Sequence, residues 1–166
     1  MNQQENYMHD NIAYWTKRAP SYSQANREEL HTGQRQVWAR ALESRIRKQF
    51  GGKSPREIPV LDVGTGPGFF AILLAELGYP VTAVDYTRSM LEQARKNAGP
   101  LAGQIHFRQM NAQELSFPDA QFAGVVSRNV TWNLPSPRRA YEQWTRVLRP
   151  GGLILNFDAN WYRYLY

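Results

Sequence analysis

Two regimes of hydrophobic patterning run along this chain. Over residues 4 to 19, Met8, Ile12, Trp15 and Ala19 recur three or four apart, and Tyr22 continues the series. That spacing predicts a helix with one apolar stripe. Pro20 lacks the N–H that a helix interior needs, so the helix is expected to break there. A second helix is predicted from about Gln24 to Phe50, with Leu30, Val37, Trp38, Ala41, Leu42, Ile46 and Phe50 inward and a bend at Gly33. Gly51-Gly52-Lys53-Ser54-Pro55 then carries loop chemistry. Beyond it, short apolar runs alternate with helical patterns. Strands are predicted near 59–63, 81–85, 104–109, 122–127 and 152–157. Helices are predicted near 67–78, 87–98 and 135–148, with Gly78 as a C-cap, Thr87 as an N-cap and a short turn at 111–115. Strands alternating with helices at this spacing give a parallel sheet with helices on both faces. Right-handed crossovers bring the strand C-termini to one edge, where ligands of such folds bind.

The first strand of that alternation runs straight into Gly64-Thr65-Gly66-Pro67-Gly68, and an apolar helix begins at once. Glycines let backbone approach a ligand closely, and a helix N-terminus offers free N–H groups and partial positive charge. Asp85, at the end of the next apolar run, can accept both hydroxyls of a ribose. Together these residues point to a nucleoside-type cofactor. A dinucleotide fingerprint wants G-x-G-x-x-G, but here the third glycine is Gly68 and position 69 is Phe. No lysine follows as it would in a phosphate-binding loop.

Asp62-x-Gly64-x-Gly66-x-Gly68 resembles the first motif of class I S-adenosylmethionine-dependent methyltransferases, of the type 11-like, small-molecule kind. Asp85 resembles their acidic residue at the end of the second strand. Asn111-Ala112 resembles the pair after the third strand, and Leu148-Arg149-Pro150-Gly151-Gly152 the segment entering the fifth. The resemblance covers roughly residues 58 to 158, with four motifs in order. It implies a Rossmann-like three-layer α/β/α sandwich with a mostly parallel sheet. The division it implies is an N-terminal helical lid or cap over residues 1–56, then an S-adenosylmethionine-binding domain over 57–166. The family usually adds a sixth and an antiparallel seventh strand. No residues remain for them before Tyr166, so a C-terminally truncated form is expected. A compact five-stranded form, or a homodimer covering the open edge, is the alternative.

What the resemblance implies about the site goes residue by residue. Gly64, Thr65, Gly66 and Gly68 meet the methionyl part of S-adenosyl-L-methionine, and Asp62 orders the loop or meets the ammonium through water. Asp85 holds the ribose diol, with Tyr86 and Met90 beside the adenine. Asn111 stands where many relatives have aspartate, and its side-chain oxygen is expected to accept from the adenine amino group; Ala112 offers its backbone N–H to a ring nitrogen. Arg128 shapes the methionyl end. Tyr22 closes over it, and Arg18 neutralises its carboxylate. Asn129, Trp132 and Trp15 are the candidate acceptor-side residues, Trp132 also by cation–π attraction to the sulfonium. For Trp15, Trp132 and Met90, core packing is the competing reading. Methyl transfer from a sulfonium is an in-line displacement that positioning and desolvation can drive, so no catalytic base is assigned. S-adenosyl-L-homocysteine is the product.

Composition narrows the rest. There is no cysteine, which removes disulfides, thiolate metal sites and the usual cytosine C5 mechanism. His9, His31 and His106 lack metal-ligand spacing, so no metal is expected. Asn129 is not in an N-P-P-Y setting, which disfavours methylation of DNA base amines. No apolar run reaches the length of a membrane span, and the N-terminus is not a signal peptide, so a cytoplasmic protein is expected. The net charge of +6 gathers around Arg35, Arg40, Arg45, Arg47, Lys48, Lys53 and Arg56. A solvated helix face explains it better than a nucleic-acid groove, because few aromatics are interleaved there. The reading is a small-molecule methyltransferase, with a non-catalytic cofactor-binding module and an RNA methyltransferase as alternatives.

Overall fold

A computed structural model describes residues 3–159 of the 166. The aromatic segment 160–166 lies outside them. Five parallel strands form one sheet: β1 (Val60–Val63), β2 (Val81–Asp85), β3 (Ile105–Gln109), β4 (Phe122–Arg128) and β5 (Leu148–Phe157). Their order is β3-β2-β1-β4-β5, so the chain reverses direction across the sheet between β1 and β4. Such a switch point opens a crevice at the strand C-termini. The helices are α1 (Gln3–Leu30), α2 (Gln34–Gln49), α3 (Phe69–Glu76), α4 (Arg88–Ala98) and α5 (Pro137–Val147).

β1 is buried on both faces and so reads as an unbroken apolar run apart from Asp62. Val60, Val81 and Ala83 pack with α3 and with Leu42 and Ile46 of α2. Leu61, Val63, Val84 and Val125 pack with Ala140, Trp144 and Val147 of α5. Trp144 is fully buried, and its Nε1 donates to Ala112 O at 3.0 Å, which fixes the turn after β3. The chain is thus the three-layer α/β/α sandwich expected. α3 ends as read from Gly78: that residue has φ +87°, and Gly78 N and Tyr79 N donate back to Ala75 O and Leu74 O, a Schellman closure.

Two boundaries differ from expectation. α1 runs through Pro20 and ends near His31-Thr32-Gly33. Ala19, Ser23, Asn26 and Leu30 are all buried at spacings of four, three and four, so one stripe continues across the proline onto α4. Two of its members are polar, which hid it. Ser23 Oγ donates to Asn97 Oδ1 at 3.4 Å, Asn97 Nδ2 donates to Ser23 Oγ at 3.1 Å and to Pro67 O at 3.0 Å, and Arg27 also reaches Asn97. Tertiary packing therefore outweighs the proline's local cost. Pro20→Ala is expected to stabilise the protein by roughly 1–3 kcal/mol, the upper end being the full propensity difference; urea unfolding checks it, and a loss of stability would mean that the proline's geometry is required.

β5 also begins earlier, at Leu148. Phe122 pairs with Leu148 and Gly124 with Leu153, so Arg149 to Gly152 form an irregular, bulged stretch. Pro150 sits in it, where the missing N–H costs no ladder bond.

Three basic residues of α2 have partners at the surface of the fold. Arg35 pairs with Glu76, Arg47 pairs with Glu43, and Arg45 lies over the Phe157 ring. Among the described residues, no helix is long and apolar enough to cross a membrane.

Candidate cofactor cleft

At the C-terminal edge of the sheet lies an open, mostly apolar cleft with a few polar groups in its walls, as small-molecule sites have. One wall is the glycine turn, β2 tip and post-β3 turn: Gly64, Gly66, Asp85, Tyr86, Met90, Asn111 and Ala112 all line it. The opposite wall is α1, through Met8, Asn11, Ile12, Trp15 and Tyr22. Arg128, Asn129, Val130, Asn133 and Leu134 close the far side. A smaller hollow against the same turn adds Asp62, Thr65, Pro67, Phe69 and Phe70, with Arg128 and Tyr22 shared.

The turn is held from beneath. Thr65 N donates to Val84 O at 2.9 Å, and Thr65 Oγ1 donates to Asp62 Oδ2 at 2.6 Å. Gly64 has φ +67°, and a Cβ there would stand 2.3 Å from Val130 Cγ2. Gly68 has φ +93° and lies against α4, where a Cβ would meet the Ala94 Cβ at 3.1 Å. Gly68 therefore serves helix packing and is absent from the cleft walls.

Asp85 anchors the turn from the side. Its Oδ2 accepts from Gly66 N at 2.9 Å and its Oδ1 from Thr87 N at 2.8 Å. A carboxylate has about four acceptor positions; the Thr87 side chain takes a third, which leaves one for a ligand hydroxyl. Burial raises the Asp85 carboxyl, against those two backbone hydrogen bonds, which favour the ionised form.

Asp62 is buried beneath the turn. Desolvation lifts its carboxyl from 3.8 to about 7, opposed by hydrogen bonds from Thr65 and the Ala71 backbone. The folded chain then keeps a proton that the unfolded chain has already released. Stability is expected to fall as pH rises through the interval from 3.8 to about 7, and to level off above it. Asp62→Asn should flatten that slope in urea unfolding followed across the interval; an unchanged slope assigns it to another group.

Arg128, at the end of β4, is held by a residue that the sequence did not flag. Its Nη1 and Nη2 donate to Glu29 Oε2 and Oε1 at 3.0 and 2.8 Å, a bidentate pair joining α1 to the sheet. The guanidinium also stacks over Trp38 and Phe69, 4.7 and 4.8 Å from their centroids. Tyr22 sits half-buried beside this pair, and burial raises its phenol above the ordinary value.

Asn129 follows with φ +57°, a left-handed backbone that asparagine tolerates better than most residues. Its backbone N–H donates to Phe157 O at 2.8 Å, and its Oδ1 accepts from Ala159 N at 3.1 Å. Trp132 is exposed and outside the cleft walls; its Nε1 donates to Asn129 O at 2.9 Å. Arg18 is likewise outside, over the Tyr14 ring at 5.9 Å. Trp15 reaches the cleft and meets the Tyr22 ring edge-on.

Asn133 ties the front of α1 down. It accepts from Tyr7 OH at 3.1 Å, and it exchanges hydrogen bonds with the Asn11 side chain. Asn11, Asn97, Gln113 and Glu29 carried no sequence signal, because each acts through a partner distant in the chain. Met8 and Ile12 were already visible as members of the α1 stripe.

The chain has known relatives. The family described as "Methyltransferase domain" matches residues 61–156. A demethylmenaquinone methyltransferase of Deinococcus radiodurans is 36% identical over 139 residues, covering 82% of this chain and 55% of that one. A ubiquinone biosynthesis O-methyltransferase of Alkalilimnicola ehrlichii is 32% identical over 111 residues, covering 66% and 44%. The solved structure of a SAM-dependent methyltransferase from Aquifex aeolicus superimposes with a TM-score of 0.54 at 25% identity, covering 64% of this chain and 58% of that one. The chain spans about half the length of the curated relatives it matches. On the family match and the sheet that carries it, the chain belongs to the S-adenosylmethionine-dependent methyltransferase family.

Proposed function

We propose that this chain binds S-adenosyl-L-methionine in the cleft and directs its methyl group to a small-molecule acceptor. The observation that carries the reading is Asp85, fixed at the tip of β2 by Gly66 N and Thr87 N with acceptor capacity left for a ribose hydroxyl. Gly64, under the Val130 side chain, and Gly66, beside Tyr22, present backbone to the cleft. Met90, Tyr86, Asn111 and Ala112 make a mostly apolar wall for a base. Arg128 with Glu29 on one side and the hydrogen-bonded Asp62–Thr65 pair on the other bracket the amino-acid end. Once bound, the cofactor supplies a methyl group activated by the sulfonium charge. The protein's part is to align it and exclude water. The front of α1, tied by Asn133, serves as the cover.

The acceptor side is bounded by Trp15, Ile12, Met8, Leu134 and Asn129, which favours an apolar or aromatic small molecule. Titration calorimetry with S-adenosyl-L-homocysteine tests the cofactor step. Binding lost in Asp85→Ala is the expected result, and absence of binding to the unaltered protein would sink the proposal. Methyl transfer from labelled donor to a panel of phenolic, quinol and amine acceptors tests the second step. Binding without transfer to any of them would favour a non-catalytic module.

A further inference from the structure

The post-β3 turn fixes the direction of one side-chain amide. Gln113 N donates to Asn111 Oδ1 at 2.9 Å, and Gln113 Nε2 reaches the same oxygen at 3.4 Å. A backbone N–H only donates, so the atom facing it must be the amide oxygen; hydrogen-bond logic settles the orientation. Gln113 is itself immobilised. Its side chain is buried, and its Oε1 accepts from Ser136 N at 2.8 Å, at the N-terminus of α5. Its own amide is thereby turned so that Nε2 faces Asn111. Both acceptor positions of Asn111 Oδ1 are taken up by Gln113. The remaining end, Nδ2 with its two N–H groups, has no partner among the described residues, and Asn111 lines the cleft beside Met90 and Met110.

This reverses the polarity that the sequence suggested. The oxygen expected to accept from an adenine amino group is engaged inside the turn, and the amide offers the cleft a donor. We infer that Asn111 reads the base of the bound nucleoside as a hydrogen-bond donor, so that the site takes a 6-oxopurine nucleoside about as well as the 6-aminopurine one. A donor complements the N1 acceptor of a 6-aminopurine or the oxo oxygen of a 6-oxopurine, whose own N1 carries a hydrogen; it gives the 6-amino group nothing to donate to. The inference rests on the cofactor reading proposed above. In Asn111→Asp one carboxylate oxygen still caps Gln113 N, while the other presents an acceptor to the cleft. That variant demands the 6-amino group. Gln113 acts as a positioning residue.

The test is calorimetric competition between S-adenosyl-L-homocysteine and its deaminated counterpart, S-inosyl-L-homocysteine, on the full chain. For the unaltered protein the two dissociation constants should agree within about threefold, a difference below about 0.7 kcal/mol. In Asn111→Asp the adenosyl form should lead by about tenfold or more. Gln113→Ala keeps the backbone N–H that fixes Oδ1 and removes only the 3.4 Å contact, so its ratio should stay within about threefold of the unaltered protein's. A preference of the unaltered protein for the adenosyl form beyond about tenfold overturns the inference while leaving the cofactor reading intact. An unchanged ratio in a folded Asn111→Asp protein also overturns it. If neither thioether binds, the cofactor reading fails and the inference fails with it.

Discussion

Gly64→Ala is expected to destabilise the protein by roughly 2–5 kcal/mol and to abolish measurable S-adenosyl-L-homocysteine binding. Two costs combine. A non-glycine residue in the left-handed region costs about 1–2 kcal/mol, and overpacking a filled site costs about 1–3 kcal/mol. Both apply, because φ is +67° and the new Cβ would stand 2.3 Å from Val130 Cγ2. The two can be separated. Val130→Ala removes the methyl group that clashes, so Gly64→Ala/Val130→Ala should recover the packing part and retain the backbone part. Thermal unfolding of the single and double variants reads this directly. Strict additivity would show that the clash relaxes without cost and would contradict the tight turn described here.

The second large effect is expected at the α1–β4 tie. Arg128→Ala leaves Glu29 without its partner and empties the guanidinium's place over Trp38, Phe69 and Phe70. The two side chains are 24% and 21% exposed, neither free in solvent nor fully enclosed. Removing one partner of a fully buried pair costs about 3–5 kcal/mol, so about 3 kcal/mol is expected here. Arg128→Ala/Glu29→Ala should be less destabilised than Arg128→Ala, since the stranded charge is gone. Urea unfolding measures both. A double variant that is worse than the single would mean that Glu29 stabilises α1 by another route.

Much of this architecture was legible because its causes are local. The alternation from Val60 to Phe157 comes from apolar runs of strand length separated by breakers, and Gly78 announced the end of α3 through its own backbone. What escaped was decided by distant partners. Ser23 and Asn26 look like solvent residues until Asn97 is brought beside Ser23, so the stripe that carries α1 past Pro20 reads as broken. Arg149-Pro150-Gly151-Gly152 reads as loop because the bulge that admits it into β5 belongs to the pairing with β4. Within the cleft, the residues at strand ends were found from the order of motifs: Gly64, Gly66, Asp85 and Asn111. The polarity of the Asn111 amide was not, because Gln113 and Ser136 set it. Glu29 lies 99 residues from Arg128 in the chain, and no periodicity connects them. Arg18 and Trp132 were drawn toward the ligand by their chemistry alone, whereas the helix face of Arg18 and the 3₁₀ turn of Trp132 carry them outside the cleft walls.

The strand order also governs how the chain reaches its native state. β1, β2 and β3 are neighbours in sequence as well as in space, each joined to the next by a single helical crossover. The central partnership of β1 with β4 is different: Val60 pairs with Gly124, across the whole intervening half-sheet. Closing that loop costs chain entropy before the pairing returns anything, and non-local parallel pairing is slow for this reason. The β1–β3 half can therefore condense as an early unit, with β4 and β5 docking onto the exposed side of β1 afterwards. Until they do, Arg128 has not met Glu29 and Val130 has not closed over Gly64. The cleft thus depends on a partnership between segments more than sixty residues apart: without β4 beside β1 neither Arg128 nor Val130 has its place in it.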